Sequence, residues 1–350
     1  MQTDRTSISA KVLADSIHGR SRLTTFEIVF PRYILAEFNT HRILSKNSAS
    51  SRAIPVRKRL ADVLENPVVP HQLGKNKAGM QSAETISDED MAAAREVWLI
   101  GRDIAVLQAF QLAGGEVQIL KDAKDDLRAQ ALCDRIHEMQ GEYRQVASRM
   151  PRLWVGIHKQ HANRVLEPYA WHTVITTGTS WRNFYALRAS KMAQPEIQEV
   201  AIAMARAQME SVPQELEHGE WHLPFINDQD RVEVGEAMTL ARISSARCAR
   251  VSYLTHDGKR SLDKDLSMAD DLQKNGHMSP FEHPATTHDT TGAYFGSYHG
   301  NFSRNWMQYR KMLQNEHDFS QFISPADLLE GMKGDQKLVD FVLALDEWHP

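Results

Sequence analysis

The sequence predicts an α+β fold, helix-rich, with at least one antiparallel sheet. Three observations carry that expectation. TTFEIVF (Thr24 to Phe30) alternates Phe26, Ile28 and Phe30 on one face, the period of a half-buried strand. Ser87 followed by Asp88, Glu89 and Asp90 has the form of a helix start, with acidic side chains where the helix dipole favours them. Pro195 and Ser261 open two further segments in which apolar residues recur with helical spacing. No internal repeat and no low-complexity linker interrupts the chain.

In chain order, Pro31 suits the first turn of a helix that RYILAEFNTHRIL can continue. Leu35 and Phe38 would face inward, with His41 and Arg42 near its C-terminal end. Residues 55–87 contain Pro, Gly and Lys with weak periodicity and read mostly as loop. The helix after Ser87 has the stripe Val97, Ile100, Ile104 and Leu107, and Gly114-Gly115 stops it. Another helix is expected over about residues 125–148. The Pro195 helix turns Ile197, Val200, Ala201 and Met204 to one side. The Ser261 helix does the same with Leu262, Leu266, Ala269 and Leu272, and ends at Gly276. ATTHDTTGAYFGSY then reads as β or extended, and short helices close the chain between Pro325 and Trp348.

Composition narrows the function classes. At 350 residues the chain can bury a large core, as one domain or two, and 42% hydrophobic with 25% charged residues is ordinary for a globular protein. No apolar run reaches the roughly 18 residues that span a membrane, and the polar start MQTDRTSISAK is not a signal peptide, so the cytoplasm is the expected location. A net charge of −4 argues against a dedicated nucleic-acid binder. The basic cluster Arg52, Arg57, Lys58 and Arg59 is local and reads equally as a solvated surface. Two cysteines, Cys133 and Cys248, give neither a disulfide framework nor a thiolate metal site. Cys133 reads as a packing residue. Cys248 lies at the start of a strand or the end of a helix, and neither has a recognisable catalytic context.

The densest chemistry lies in THRILSKNSASSR (Thr40 to Arg52). It supplies guanidinium forks at Arg42 and Arg52 and short hydroxyls at Ser48, Ser50 and Ser51, the groups an anion site uses. Alone it reads as readily as a serine-rich turn with two solvated arginines. In GHMSPFEH (Gly276 to His283), Gly276 ends a helix and Pro280 fixes a turn, placing His277, Ser279, Glu282 and His283 together. A metal reading would take His277, His283, His288 and Glu282 as ligands, but no established zinc spacing fits and no metal is assigned. In SWRNFYALRASKMAQPEI (Ser180 to Ile197), Arg188 follows an aromatic-apolar run at a partly buried junction. A guanidinium there needs a partner, either a structural carboxylate or a pyrimidine's carbonyl edge. Trp306 and Tyr309 in NFSRNWMQYRKM read as one face of a helix rather than as a stacking surface for bases.

Together these blocks resemble the signature regions of the flavin-dependent thymidylate synthases, which methylate dUMP without an enzyme cysteine. In that family the first block runs Arg-His-Arg, then Ser, Asn-Glu, Ser and Arg-Tyr. His41, Arg42, Ser45, Asn47, Ser50 and Arg52 match it in register, whereas Thr40, Ser48 and Ala53 depart from it. ARVSY (Ala249 to Tyr253), a helix and then GHMSPFEH follow the family's other pattern. NRVLEP and the Ser180 block match a third, with Met192 where the family usually has His and with Gln194 and Glu196 continuing the match.

The resemblance implies a flavin-dependent thymidylate synthase-like fold in circularly permuted order, since ARVSY and GHMSPFEH come last here instead of first. It covers roughly residues 24–54, 158–210 and 244–312. It implies one domain over residues 1–350, with a helical insertion of unassigned role at about 55–157. It further implies FAD as cofactor, with NADPH and methylenetetrahydrofolate as co-substrates. His41, Arg42, Asn47, Asn183, His277, Ser279 and Glu282 would lie on the flavin side. Ser50, Arg52 and Arg164 would hold a nucleotide phosphate, with Arg188 on the pyrimidine as the catalytic group. The implied reaction is reductive methylation of dUMP to dTMP by a homotetramer. Hydroxymethylation, a dCMP substrate, or a non-catalytic nucleotide-binding role stay open from the sequence.

Overall fold

The computed structural model describes residues 7–78, 84–121, 126–151, 153, 155–252, 261–288, 298–314, 316 and 323–344. Five strands form the main sheet: β1 (Ser9–His18), β2 (Ser21–Pro31), β3 (Ser45–Ser48), β4 (Trp171–Gly178) and β5 (Gln214–Glu215). Their order is β3-β4-β2-β1-β5, antiparallel except where β5 joins β1. A smaller antiparallel sheet pairs β6 (Trp221–His222), β7 (Ala285–Thr287) and β8 (Trp306–Gln308) in that order. The expected α+β class is therefore the observed one.

The alternation in β2 has the predicted meaning. Phe26, Ile28 and Phe30 are fully buried and pack with Phe38, Val174, Trp181 and Phe184. One helical lid completes this layer. It is the Pro195 helix, whose Ile197, Val200, Ala201 and Met204 are all buried against the sheet. Pro31, however, ends β2 instead of opening a helix. A 3-10 turn (Arg32–Ile34) leads into the short helix α1 (Leu35–Asn39), so His41 and Arg42 lie beyond its end.

The expected loop over 55–87 begins with a helix, α2 (Val56–Glu65), because Leu60, Val63 and Leu64 find a partner surface distant in sequence. That surface is α3 (Asp88–Leu112), capped by Ser87 as predicted, with the Ser87 side chain accepting from the Asp90 amide. The predicted α3 stripe is only half right. Val97 and Ile100 are exposed, and burial is concentrated at Ala105, Val106, Leu107, Ala109 and Phe110, where the helix crosses its neighbours. Gly114 takes a left-handed conformation (φ 92°) that stops α3 and admits α4 (Gly115–Ile119). Helix α5 (Leu127–Glu142) breaks at Tyr143 before α6 (Arg144–Ala147), slightly inside the expected range. Leu132, Cys133 and Ile136 of α5 join α2 and α3 in one apolar cluster that also takes in Leu166 and Ala170.

The short α7 (Lys159–Ala162) precedes β4, and α8 (Arg182–Arg188) follows it, ahead of α9 (Pro195–Glu210). Helix α10 (Asp228–Val234) opens with a capping box in which Asn227 and Asp230 exchange side-chain-to-backbone bonds. Cys248 lies at the end of α11 (Ala237–Ala249). Helix α12 (Leu262–Lys274) follows, and Gly276 (φ 69°) turns the chain out of it, with the His277 amide donating to Leu272 O at 2.8 Å. Tyr253, residues 289–297 and Trp348, which the sequence reading also used, lie outside the described residues. Trp306 and Tyr309 do not share a helix face. Trp306 is in β8 and Tyr309 starts α13 (Tyr309–Met312), because β7 supplies a pairing edge that local spacing cannot reveal. Helices α14 (Pro325–Gly331) and α15 (Gln336–Ala344) end the described chain, and no described helix is long and apolar enough to cross a membrane.

Under the second face of the main sheet runs a buried polar chain. The Ser16 hydroxyl meets His222 Nδ1 at 2.9 Å, His222 Nε2 meets Thr25 Oγ1 at 2.8 Å, Thr25 meets Thr177 at 2.7 Å, and Thr177 meets His283 Nδ1 at 2.7 Å. Burial holds both imidazoles neutral, each pushed down to about 3. Unfolded, the same rings titrate near 6.5, so between about 6.5 and 3 the unfolded chain binds more protons than the native one. Stability therefore falls as pH falls through that window. Each ring is expected to withdraw on the order of 2 kcal/mol between pH 7 and pH 5. Urea unfolding at the two pH values checks this. His283→Asn should show a smaller loss than the parent, and equal losses would contradict it.

Candidate functional site

Arg188 is the last residue of α8, a position favourable for a cation beside the helix's partial negative end. The preceding turn is closed by the Trp181 indole donating to Gly178 O at 2.8 Å, and Trp181 and Phe184 pack edge-on against Phe26 and Phe38. This aromatic base places the guanidinium over the end of α1. There Nε donates to His41 Nε2 at 2.7 Å, Nη2 donates to Thr40 Oγ1 at 3.2 Å, and Nη1 is ion-paired with Glu37. The Thr40 hydroxyl donates in turn to Glu37 O at 2.7 Å.

His41 is buried, with its ring edge-on to Phe184 at 4.9 Å. Burial, then Arg188 and Lys46, lower its pKa, which keeps it a neutral acceptor for the arginine. Its Nε2 is thus engaged, so His41 anchors Arg188 and does not offer that nitrogen to a pyrophosphate. Of the two partners that the sequence left open for Arg188, the carboxylate is present, and the guanidinium is still partly exposed to solvent.

The THRILSKNSASSR block contains a strand that local propensity hides. β3 pairs with β4, Ser45 opposite Thr177 and Asn47 opposite Ile175, which buries Ser45 and Asn47. Ser279 then donates to Asn47 Oδ1 at 2.7 Å, docking the GHMSPFEH turn onto β3. Gln308 ties the same corner together through Asn301 Oδ1 at 2.8 Å and Glu282 O at 3.1 Å.

The four GHMSPFEH side chains do not gather as expected. His277 and Ser279 are exposed, and Glu282 accepts from Arg310 at 2.6 Å. His283 is fully buried against Thr177, because the 3-10 turn Ser279–Glu282 rotates successive residues to different sides. The ligands that a metal reading would need therefore point to separate environments.

Arg42, Ser50, Arg52, Arg164 and Asn183 are all exposed. The Asn163 amide donates to Ser51 O at 2.9 Å and Ile54 O at 3.0 Å, which fixes the Ser50–Arg52 turn beside the segment carrying Arg164. Arg164 itself pairs with Glu167 at 2.8 Å.

Two site residues escaped the sequence reading. Lys46 donates to His41 O at 2.5 Å and lies over the Phe38 ring; burial depresses its pKa to about 8, with Glu282 opposing the shift. Glu37 is the other. Its only sequence signal was a carboxylate one helical turn before Thr40 and His41.

The cysteines are excluded as nucleophiles by their surroundings. Both thiols are buried, and burial pushes Cys133 up to about 11 and Cys248 higher still.

Fold and site together define an α+β protein presenting one anchored arginine and several exposed cations and amides, a surface suited to an anionic ligand with a hydrogen-bonding ring. Residues 22–214 match the family model of the thymidylate synthase complementing proteins (Thy1), and the chain belongs to that family. It is a thymidylate synthase-type enzyme of nucleotide biosynthesis. A search of the curated proteins found no match. The GHMSPFEH block lies outside the matched span and is joined to it through the Asn47–Ser279 bond.

Proposed function

We propose that the protein is an FAD-dependent enzyme that transfers a one-carbon unit from methylenetetrahydrofolate to C5 of a deoxypyrimidine monophosphate, with NADPH as reductant. The observation that carries this reading is Arg188, anchored at three points and still partly exposed, in a chain whose thiols are both buried. Pyrimidine C5 is a weak nucleophile. Without a thiolate adding at C6, a fixed cation can stabilise the negative charge that develops on the ring carbonyls as C5 attacks. His41 keeps that cation in place as a neutral acceptor.

The exposed residues fit a flavin dinucleotide by their donor chemistry. Arg42 supplies a guanidinium for a pyrophosphate, Asn183 and His277 supply donors for a ring edge, and the Ser279 hydroxyl, which donates to Asn47, keeps its lone pairs as acceptors. Glu282 holds Arg310 through one carboxylate oxygen, and Asn47 acts through Ser279. Reduced flavin, when bound, supplies the hydride that completes the methyl group. Arg52, Ser50 and Arg164 are the groups we assign to the nucleotide phosphate. We extend the family's oligomeric character to a homotetramer in the cytoplasm.

FAD titrated into the purified protein is expected to bind and to develop a bound-flavin absorption spectrum. No FAD binding by a folded sample would overturn the proposal.

A further inference from the structure

The pair Arg188–Glu37 says more than that an arginine has a counter-ion. A guanidinium carries five N–H donors. Three are engaged, on His41 Nε2, Thr40 Oγ1 and Glu37 Oε1, which leaves two for a ligand. Glu37 has a second carboxylate oxygen, and it accepts no hydrogen bond from any described residue. Neither side chain is sealed off, with Arg188 at 20% and Glu37 at 28% exposure. Two donors and one acceptor are thus left on this ion pair, whose groups are held by a helix end and an aromatic base.

Donor–donor–acceptor is the complement of cytosine's pairing edge, which offers O2 and N3 as acceptors and the 4-amino group as donor. Carboxylates characteristically accept from that amino group. Uracil's edge runs acceptor, donor, acceptor. Set against the same groups, its N3–H would meet an arginine N–H, and its O4 would meet the Glu37 oxygen. Moving the ring by one position rescues one contact and loses another. A polar group buried without its partner is what makes such discrimination large.

We propose that Glu37, paired with Arg188, selects the base, and that the nucleotide substrate is dCMP in preference to dUMP. This rests on the reading of the site as a deoxypyrimidine monophosphate site with Arg188 on the ring. Thr40 supports the arrangement. The family pattern has an arginine at that position, whose charge would compete for Glu37 and repel Arg188; a hydroxyl does neither and accepts from Arg188.

Isothermal titration of the full-length protein with dCMP and with dUMP, in the presence of FAD, tests the idea. Wild type is expected to bind dCMP at least about tenfold more tightly, the scale of one matched against one mismatched polar contact. Glu37→Gln gives the carboxamide a donor for O4, and should shift the dCMP-to-dUMP ratio by at least the same factor towards dUMP. A merely structural role for Glu37 would weaken both nucleotides alike and leave the ratio unchanged, which would overturn the proposal. Wild type binding dUMP as tightly as dCMP would overturn it even if the variant failed to fold, and would leave the deoxypyrimidine reading standing. Binding of neither nucleotide would remove that reading, and this inference with it.

Discussion

Arg188→Lys is expected to lower the single-turnover rate by about 100-fold, the scale seen when one preorganised donor is removed from a developing oxyanion, while changing nucleotide affinity far less. Lysine keeps the charge but cannot reproduce the fork. Arg188 reaches His41 through Nε, Thr40 through Nη2 and Glu37 through Nη1, three directions set by one rigid plane. An ammonium rotates among such acceptors and loses its fixed relation to the ring. If the arginine's role grows as charge builds on the pyrimidine, the deficit falls on the rate constant and not on the dissociation constant. Rapid-quench assays with labelled methylenetetrahydrofolate, beside nucleotide titrations, separate the two. An unchanged rate with a raised dissociation constant would mean that Arg188 only holds the substrate. The same label reports whether the product carries a methyl or a hydroxymethyl group.

Arg247→Met is expected to destabilise the protein by about 3–5 kcal/mol, the cost of stranding buried charges. Arg247 at the end of α11 donates to Asp230 at 2.5 and 2.9 Å and to Asp265 at 2.9 Å, and all three residues are buried. Methionine fills the stem's volume but removes both Arg247 hydrogen bonds to Asp230, whereas Asp265 keeps Arg250 at 2.7 Å. The cluster joins α10, α11 and α12, and α12 ends in the Gly276 turn that presents His277 and Ser279. Weakened flavin binding should therefore accompany the loss of stability. Urea unfolding with an unchanged slope measures the first effect. A shift below about 1 kcal/mol would show that the two carboxylates are accommodated by protonation or by water.

Much of the frame was legible because local rules and tertiary demands agree there. The β2 alternation, the Ser87 and Pro195 helix starts and the Gly114 and Gly276 stops all depend on residues within one turn of each other. The misreadings share a cause. SKNS has poor strand propensity yet forms β3, because β4 offers an edge that satisfies its backbone. Val56–Glu65 has a short apolar stripe that means little until α3 and α5 supply the opposite wall. Trp306 and Tyr309 have helical spacing, but β7 recruits the first into a strand.

The site divides in the same way. The sequence by itself determined which chemical groups are present: guanidinium forks at Arg42, Arg52, Arg164 and Arg188, the hydroxyls and amides of the signature blocks, and the family that those blocks mark. Only the tertiary structure decided which of them act together. It turned His283 inward and left His277 outward on either side of one 3-10 turn, engaged Glu282 with Arg310, and bonded Lys46 to the His41 carbonyl. It also brought Glu37 to Arg188 across 151 positions of chain. The physical reason is that hydrogen bonds and ion pairs of this kind act over about 3 Å. Residue type is written along the chain, but partnership at that distance exists only after the sheet and its helices have closed.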